Sequence, residues 1–567
     1  MIKKVLFTIQ CLLIILWLYI LKYTDSFYSI YIICAFLAFV STYFIYKYNS
    51  EKLENREIVA IIIISILFTI AIIGSNYLIF EGKNILISII MGIISLDISI
   101  IVNIYIFKLL NKYTNQKKEE EYYINPKMIF LFSFCIIILI DLLYLFCIAY
   151  PGNISADSIS QINQIMSGKY LNHHPYWHTC ILKIMINLGL ILFNNMNAAI
   201  ATFCVFQIIF MALCFSFIII SVFELTYSLR KTFFVFVWFA IMPFNICYSC
   251  TLWKDVMFAG VVSVFITVLL RILRNIGDIK LNYILLFLSG VGFGVFRSNG
   301  WIALVLTFIV MLIFLRKKES VTLLILISVI TITAIMKGPF VNIIGVQKSE
   351  FAESLSIPIQ QISRVIYDGY EIDESQNKLI ENIIDINIIK ENYLPYISDP
   401  VKGVINNTEG SNQYLEKHKL EYLQLWIQLG LKYPKEFLKA WIDQTKGYWN
   451  GGYDYWVWIT GIDANVGYGI HRIINIPILE VISNYYFGFF KLPFVNTFIS
   501  IGFNVWLTIF SLIYSISQKK KEAVCIIPIV AIWFTLLVAS PVFCEFRYIY
   551  PLFLSLPLIL GIPFLSE

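Results

Sequence analysis

The chain has 567 residues, 59% of them hydrophobic and 14% charged, with a formal net charge of +6 and a mean hydropathy of +0.78. An ordinary soluble domain carries roughly 25% charged residues, so water is excluded as the main solvent. Uninterrupted apolar runs of about 20 residues exclude a β-barrel, and basic residues confined to short loops argue against a nucleic-acid partner.

The reading is therefore an all-α, polytopic integral membrane protein with about 14 transmembrane helices. The first run, Met1 to Leu21, follows Lys3 and Lys4 like a signal peptide. It lacks a small-residue cleavage site and is read as a retained helix. Spans are expected near 5 to 22, 28 to 46, 58 to 80, 86 to 107 and 128 to 150. Lys47, Lys52 and Arg56 follow the second span, and Lys108, Lys112, Lys117 and Lys118 the fourth, which assigns these connections to the cytoplasm. Apart from Asp97, the first four helices carry few polar signals, so 1–127 is read as an accessory bundle.

The fifth span delivers Pro151 to the outer side and opens a polar loop, 151–196. It contains Asp157, with Gln161 and Gln164 on the same helical face, and then His173, His174 and His178. His174 is expected to cap a helix beginning at Pro175. An i,i+4 pair such as His174 and His178 without an obvious third ligand is a weak metal signal. The apolar stretch from Pro175 to Asn194 contains Lys183 and is read as an outer-face helix, because a further span would place Arg230 and Lys231 outside.

Six spans follow, near 197 to 224, 232 to 250, 255 to 273, 281 to 296, 301 to 315 and 321 to 337. Arg230 and Lys231, then Arg271, Arg274 and Lys280, then Arg316, Lys317 and Lys318, mark every second turn as cytoplasmic. With the fifth span they make a core of 128–337. A polar outer domain, 338–490, comes next. Within it Lys417 to Trp441 reads as helical, with Leu420, Leu423 and Ile427 on one face and a break at Pro434, and a second surface helix is expected near 471 to 486. The aromatic run Tyr448, Trp449, Tyr453, Tyr455, Trp456 and Trp458 suits stacking on sugar rings or, as the favoured reading, a membrane-interface belt. Three final spans occupy 491–567, with Lys519, Lys520 and Lys521 inside, leaving both termini cytoplasmic. The eleven cysteines are scattered. They suit apolar packing better than disulfides or, at Cys247 and Cys250, zinc or redox chemistry.

Polar clusters recur at the outer ends of these spans: Lys254 and Asp255; Arg297, Ser298 and Asn299; Gln360, Gln361 and Arg364; Glu545, Arg547 and Tyr548. Charges at membrane depth cost at least about 2.5 kcal/mol unless paired or wetted, so their repetition at one face points to a shared polar cavity.

In this order and topology, a first outer loop with an acid, HHP, KD, RxNG and ERYxxP resembles the GT-C superfamily of membrane glycosyltransferases. The similarity is to protein O-mannosyltransferases and to bacterial enzymes that use polyprenyl-phosphate sugars. It extends to a bacterial membrane family of unknown function in that class, which also shows SxPxQQxxR. The resemblance covers about 128 to 567. It implies a GT-C-like core with outer-face loop helices, Asp157 as the catalytic acid residue, and Arg297, Arg547 and Lys254 as ligands of the donor phosphate. His173, His174, His178, Asn299, Gln360, Gln361, Arg364, Glu545 and Tyr548 are then expected to border the substrates. Some relatives have an Asp-Glu pair or a second loop acid, where Ser158 follows Asp157 here, a departure that weakens the Asp157 assignment and any inference of a divalent cation. The implied partners are a polyprenyl-phosphate-linked sugar and an envelope glycan, lipid or protein acceptor, met at the outer face of the cell membrane. The alternatives are a flippase of lipid-linked glycans, a ligase using a diphosphate donor, or a noncatalytic assembly scaffold.

Overall fold

A computed structural model describes residues 2–21, 29–47, 52–81, 85–114, 124–315, 319–451, 460–463, 466–474 and 476–565. Among these residues the regular structure is helical, and β-pairing is limited to isolated bridges. Among the described residues ten helices are long and apolar enough to cross a membrane, or up to twelve when each of two bent pairs is taken as one span, where about fourteen are expected for the whole chain. The helices Val5–Leu21, Ser29–Ile45 and Ile279–Val295 are apolar but short. In the other direction, Tyr176–Phe193 has the length and apolarity of a span, where a surface helix is expected. Its Lys183 donates to the Tyr170 hydroxyl at 2.9 Å, so the charge is carried back toward the polar loop.

Two expected spans are broken by their own sequences. Leu229–Ile241 and Pro243–Ser249 meet at 52°, where Pro243 cannot donate a helical hydrogen bond, and Pro493–Ile499 meets Ile501–Ser517 at 45°. The central element is Lys254–Arg274, which is buried along nearly its whole length. Glycines let neighbours approach it closely: a Cβ at Gly292 would come within 2.8 Å of Val261.

The basic turns gather at one end of the bundle. Arg274 pairs with Glu522 at 2.7 Å, Lys521 donates to the Leu273 carbonyl at 2.6 Å, and Lys520 donates to Pro563 and Leu565. In the same way Gln518 and Asn111 donate to Glu57. The N-terminal bundle is tied there to the last helices, and its Asp97 accepts from Gln10 at 2.6 Å.

At the opposite end lies a separate apolar core within 351–437. The helix Lys419–Lys432 buries Tyr422, Leu425 and Leu429 in it, and Leu420, Leu423 and Ile427 lie together on its exposed face. The second surface helix runs over Pro477–Phe490. Tyr448 and Trp449 are core residues rather than an interface belt, with Tyr448 bonded to Ser540 at 2.9 Å. Tyr453, Tyr455, Trp456 and Trp458, and the basic residues Lys117, Lys118 and 316–318, lie outside the described residues.

Candidate functional site

The site forms where the first polar loop crosses the N-terminus of the central helix. Asn153 and Ile154 lie in extended backbone: Asn153 exchanges backbone hydrogen bonds with Cys250 and Leu252, and Ile154 N–H donates to Gly461 at 2.9 Å. The loop helix Ala156–Ser167 then begins with a capping box between Ser155 and Ser158. Ser158 also donates to the Leu252 carbonyl at 2.9 Å, and the Trp253 indole donates to Ser155 at 2.6 Å. Because Ser155 caps the helix, the Asp157 carboxylate in its first turn is left to face the cations opposite.

Those cations come from distant parts of the chain. Arg547 donates to Asp157 Oδ2 at 2.6 Å, and Lys254 Nζ lies 3.5 Å from the same oxygen. The Arg547 guanidinium lies over the Trp253 ring at 4.9 Å and the Tyr548 ring at 5.1 Å, and its Nε is 3.4 Å from Glu545. Arg297 approaches the other side of this group. Its guanidinium is 4.5 Å from the Tyr548 ring centre, it donates to the Tyr548 carbonyl, and it pairs with Asp255 at 3.1 Å. Tyr548 is thus the shared aromatic contact of both arginines.

Protonation follows from burial and from these partners. Burial works against ionisation of Asp157, yet Lys254 and Arg547 outweigh it and hold the carboxyl well below the usual carboxylate range. Glu545 goes the other way: burial, aided by the charges of Asp255 and Asp157, pushes it up to about 7 despite Arg547. Burial and the adjacent Lys254 ammonium bring His174 down to about 2. Burial also lowers His173.

Of the residues singled out by sequence, Asp157, Lys254, Asp255, Arg297, Glu545, Arg547, Tyr548 and His174 form this connected group. His174 does not cap the next helix, which starts at Tyr176 after Pro175. Instead its Nδ1 lies 3.1 Å from Lys254 Nζ, and its ring meets that of His173 edge-on at 4.8 Å. His178 is fully buried one layer deeper, with Nδ1 bonded to the Gln161 amide at 3.0 Å. Asn299 points elsewhere, donating to Thr535 at 2.8 Å. Gln360, Gln361 and Arg364 stay outside the group. The glutamines donate to the Leu394 and Phe437 carbonyls, and Arg364 pairs with Asp368, Glu436 and Asp443. Their polar character is spent on joining the outer domain's helices to one another.

Sequence reading passed over Trp253, since a tryptophan between spans carries no distinctive signal. It also passed over Glu353, which pairs with Lys402 at 3.0 Å and acts electrostatically on His173. Among the described residues no group of three or more His, Cys, Asp or Glu side chains is placed to hold a metal ion. Cys247 and Cys250 are buried in the core, and neither is in a disulfide.

A largely buried group of three acids and three fixed cations at a helix end can hold a phosphate and receive a proton. In comparison with known proteins, a model described as a family of unknown function, DUF6020, matches residues 166–562, more than two thirds of the chain. Every member of the group lies within that match except Asp157, which stands shortly before its start. No curated protein and no solved structure matches the chain.

Proposed function

The chain belongs to the DUF6020 family, and we propose that it is a GT-C-type membrane glycosyltransferase. In this reading it moves a sugar from a polyprenyl-phosphate donor to a cell-envelope acceptor at the outer face of the cell membrane. The observation that supports it best is the convergence on one Asp157 oxygen of Arg547 at 2.6 Å and Lys254 at 3.5 Å.

The chemistry needs little more. The acceptor hydroxyl oxygen attacks the anomeric carbon and the carbon–oxygen bond to phosphate breaks. The electron pair of that bond leaves on the polyprenyl phosphate, and the hydroxyl proton passes to a carboxylate. The leaving group is already a stable anion, so no general acid is required. Arg547 and Lys254 are suited to the departing phosphate, Arg547 by two parallel hydrogen bonds and Lys254 as a point charge. Arg297, held by Asp255, adds positive potential from the far side of Tyr548.

With both cations on it, Asp157 is a poor base, since proton transfer favours a group whose pKa lies near the working pH. A donor phosphate competes for the same cations. As they turn to it, Asp157 regains basicity, so donor binding and activation of the acceptor are coupled through one pair of side chains.

The deciding experiment is transfer from a synthetic polyprenyl-phosphate sugar by the purified protein in nanodiscs, comparing wild type with Asp157→Asn. Loss of transfer with donor binding retained supports the enzyme, and unchanged transfer, or no transfer by wild type with any sugar donor, sinks it. The two bent helix pairs favour one rival, because broken helices are typical of transporters. A flippase would move the donor's phosphate across a vesicle membrane without breaking the sugar–phosphate bond.

A further inference from the structure

The loop helix Ala156–Ser167 turns one side to the charged group and another to an open cleft of about 560 Å³. Ala156, Ser160, Asn163 and Ser167 recur along that second side at the three- and four-residue spacing of a single helical stripe. At roughly 1.5 Å per residue the stripe is about 16 Å long. Asp463 and Tyr468 form the facing wall. They belong to a segment hydrogen-bonded to the start of the same loop: the Ile154 N–H donates to Gly461 at 2.9 Å, and the Asp463 N–H donates to Ile154 at 3.0 Å. Tyr468 has φ 55°, a left-handed backbone unusual for a bulky side chain, between Gly467 at 67° and Gly469 at 69°. That turn leaves the ring 45% exposed beside the cleft, with its hydroxyl donating to Asn163 Oδ1 at 2.9 Å.

The walls discriminate among glycan, lipid and protein acceptors. Polar groups stand on both: the hydroxyls of Ser160, Ser167 and Tyr468, the amides of Asn163 and Gln164, and the Asp463 carboxylate. Between them they supply donors and acceptors, which suits sugar hydroxyls that are each both. The exposed Tyr468 ring adds the flat apolar face on which a pyranose stacks. A lipid tail needs a continuous apolar lining, whereas Ala156, Ile159 and Leu171 are set among hydroxyls and amides. A peptide laid along the helix meets backbone groups already bonded within it, so that wall offers no strand edge. Among the described residues Asp463 is the one charged side chain on the walls, which disfavours a polymer bearing phosphates or carboxylates.

We propose that this cleft binds an uncharged glycan chain and is the place where the acceptor lies. The inference rests on the transferase reading of Asp157 and deepens it by naming the acceptor's class. Ala156, at one end of the stripe, directly precedes Asp157, so a chain lying along the helix runs toward the carboxylate that takes the hydroxyl proton. Ser160 and Gln164, three and seven residues after Asp157 on the same side of the helix, then hold the sugar units behind the reacting one.

The test uses the full chain in nanodiscs, first for binding and then for transfer. Without donor, the protein is passed over an array of neutral oligosaccharides of glucose, galactose, mannose, rhamnose and N-acetylhexosamines. A random-sequence peptide library and a glycerol-phosphate polymer serve as comparison probes. Saturable binding to at least one neutral glycan is expected. Asn163→Trp, which fills the cleft, and Tyr468→Ala should each weaken it at least tenfold, and both positions are exposed, so neither change disturbs the core. Met166→Trp, on the same helix at a position 46% exposed outside the cleft, should leave binding unchanged. The assignment is overturned if no neutral glycan binds, if glycan binding ignores both cleft variants, or if the peptides or the phosphate polymer bind more tightly and lose that binding in Asn163→Trp. The transfer assay keeps the two readings apart. Transfer that proceeds equally well in wild type and Asn163→Trp removes the cleft as acceptor site and leaves the enzyme standing. Cleft-dependent glycan binding with no transfer from any polyprenyl-phosphate sugar removes the enzyme and leaves the glycan site.

Discussion

The Lys254 ammonium lies 3.1 Å from Nδ1 of His174. An ammonium has only donors, so Nδ1 must accept and the ring proton sits on Nε2. The histidine is therefore neutral in the fold, in agreement with its position at about 2. The unfolded chain takes up a proton near the ordinary value of 6.5 and the folded one does not, so the contribution to stability is full above 6.5 and declines as pH falls toward 2. Thermal unfolding in detergent should show a falling midpoint between pH 6.5 and 5. His174→Asn, which keeps an acceptor but does not titrate, should flatten that fall, and an unchanged slope would refute the assignment.

Glu545 gives the opposite sign. Its folded value of about 7 lies above the ordinary 4.5, so its contribution is full at low pH and is lost as pH rises from 4.5 through 7. Glu545→Gln should remove that loss from the stability profile. If Glu545 shares in proton acceptance, the variant should also lose the limb of the transfer rate centred near pH 7, a readout that packing alone would not move.

Asp157→Asn should separate binding from turnover. Removing the carboxylate frees Arg547 and Lys254 from their present partner, so affinity for a polyprenyl-phosphate probe should stay the same or rise. The transfer rate should fall by about 10² to 10⁴, the usual contribution of a positioned base. Titration calorimetry and product formation on one preparation check both halves, and weaker binding would count against competition for the cations.

The pair of Asp255 and Arg297 is buried on both sides, with Asp255 only 1% exposed. Arg297→Met leaves that carboxylate without its cation and should cost about 3 to 5 kcal/mol. Adding Asp255→Asn should recover part of the loss, as a double-mutant cycle on thermal or denaturant unfolding would show.

Arg364 should behave as a structural residue. It is shared among Asp368, Glu436 and Asp443, and Asp443 also accepts from Tyr77 of the N-terminal bundle at 2.7 Å. Arg364→Gln is expected to lower stability by a few kcal/mol, in the range for a broken buried pair. Transfer per folded molecule should be unchanged. A loss of turnover with stability intact would return Arg364 to the substrate site.

Much of this arrangement was readable from sequence because the membrane sharpens the signals. Long apolar runs define helices, and a charge at a helix end needs a partner, which is why Asp157, Lys254, Arg297 and Arg547 could be grouped before any geometry was known. Partner choice was less legible. Arg364 carries the same charge as Arg547, but beside the local Asp368 its acids Glu436 and Asp443 come from a helix 72 and 79 residues away, and no local pattern records that. Leu420, Leu423 and Ile427 could be placed on one face of Lys419–Lys432, but both sides of that helix are apolar, and periodicity does not say which side meets a core. The breaks at Pro243 and Ser500 altered the span count, since hydropathy averages across a bend.

The central helix has a consequence of its own. Lys254 and Asp255 occupy its first turn and Arg271 and Arg274 its last, about 31 Å apart along a single rod. The charged group is thus held at a fixed distance from the basic end, and no hinge within the rod can change it. Under the proposed function, thinning or thickening a surrounding bilayer should tilt this rod as a unit and carry the partners of Asp157 along, so the transfer rate is expected to vary with bilayer thickness.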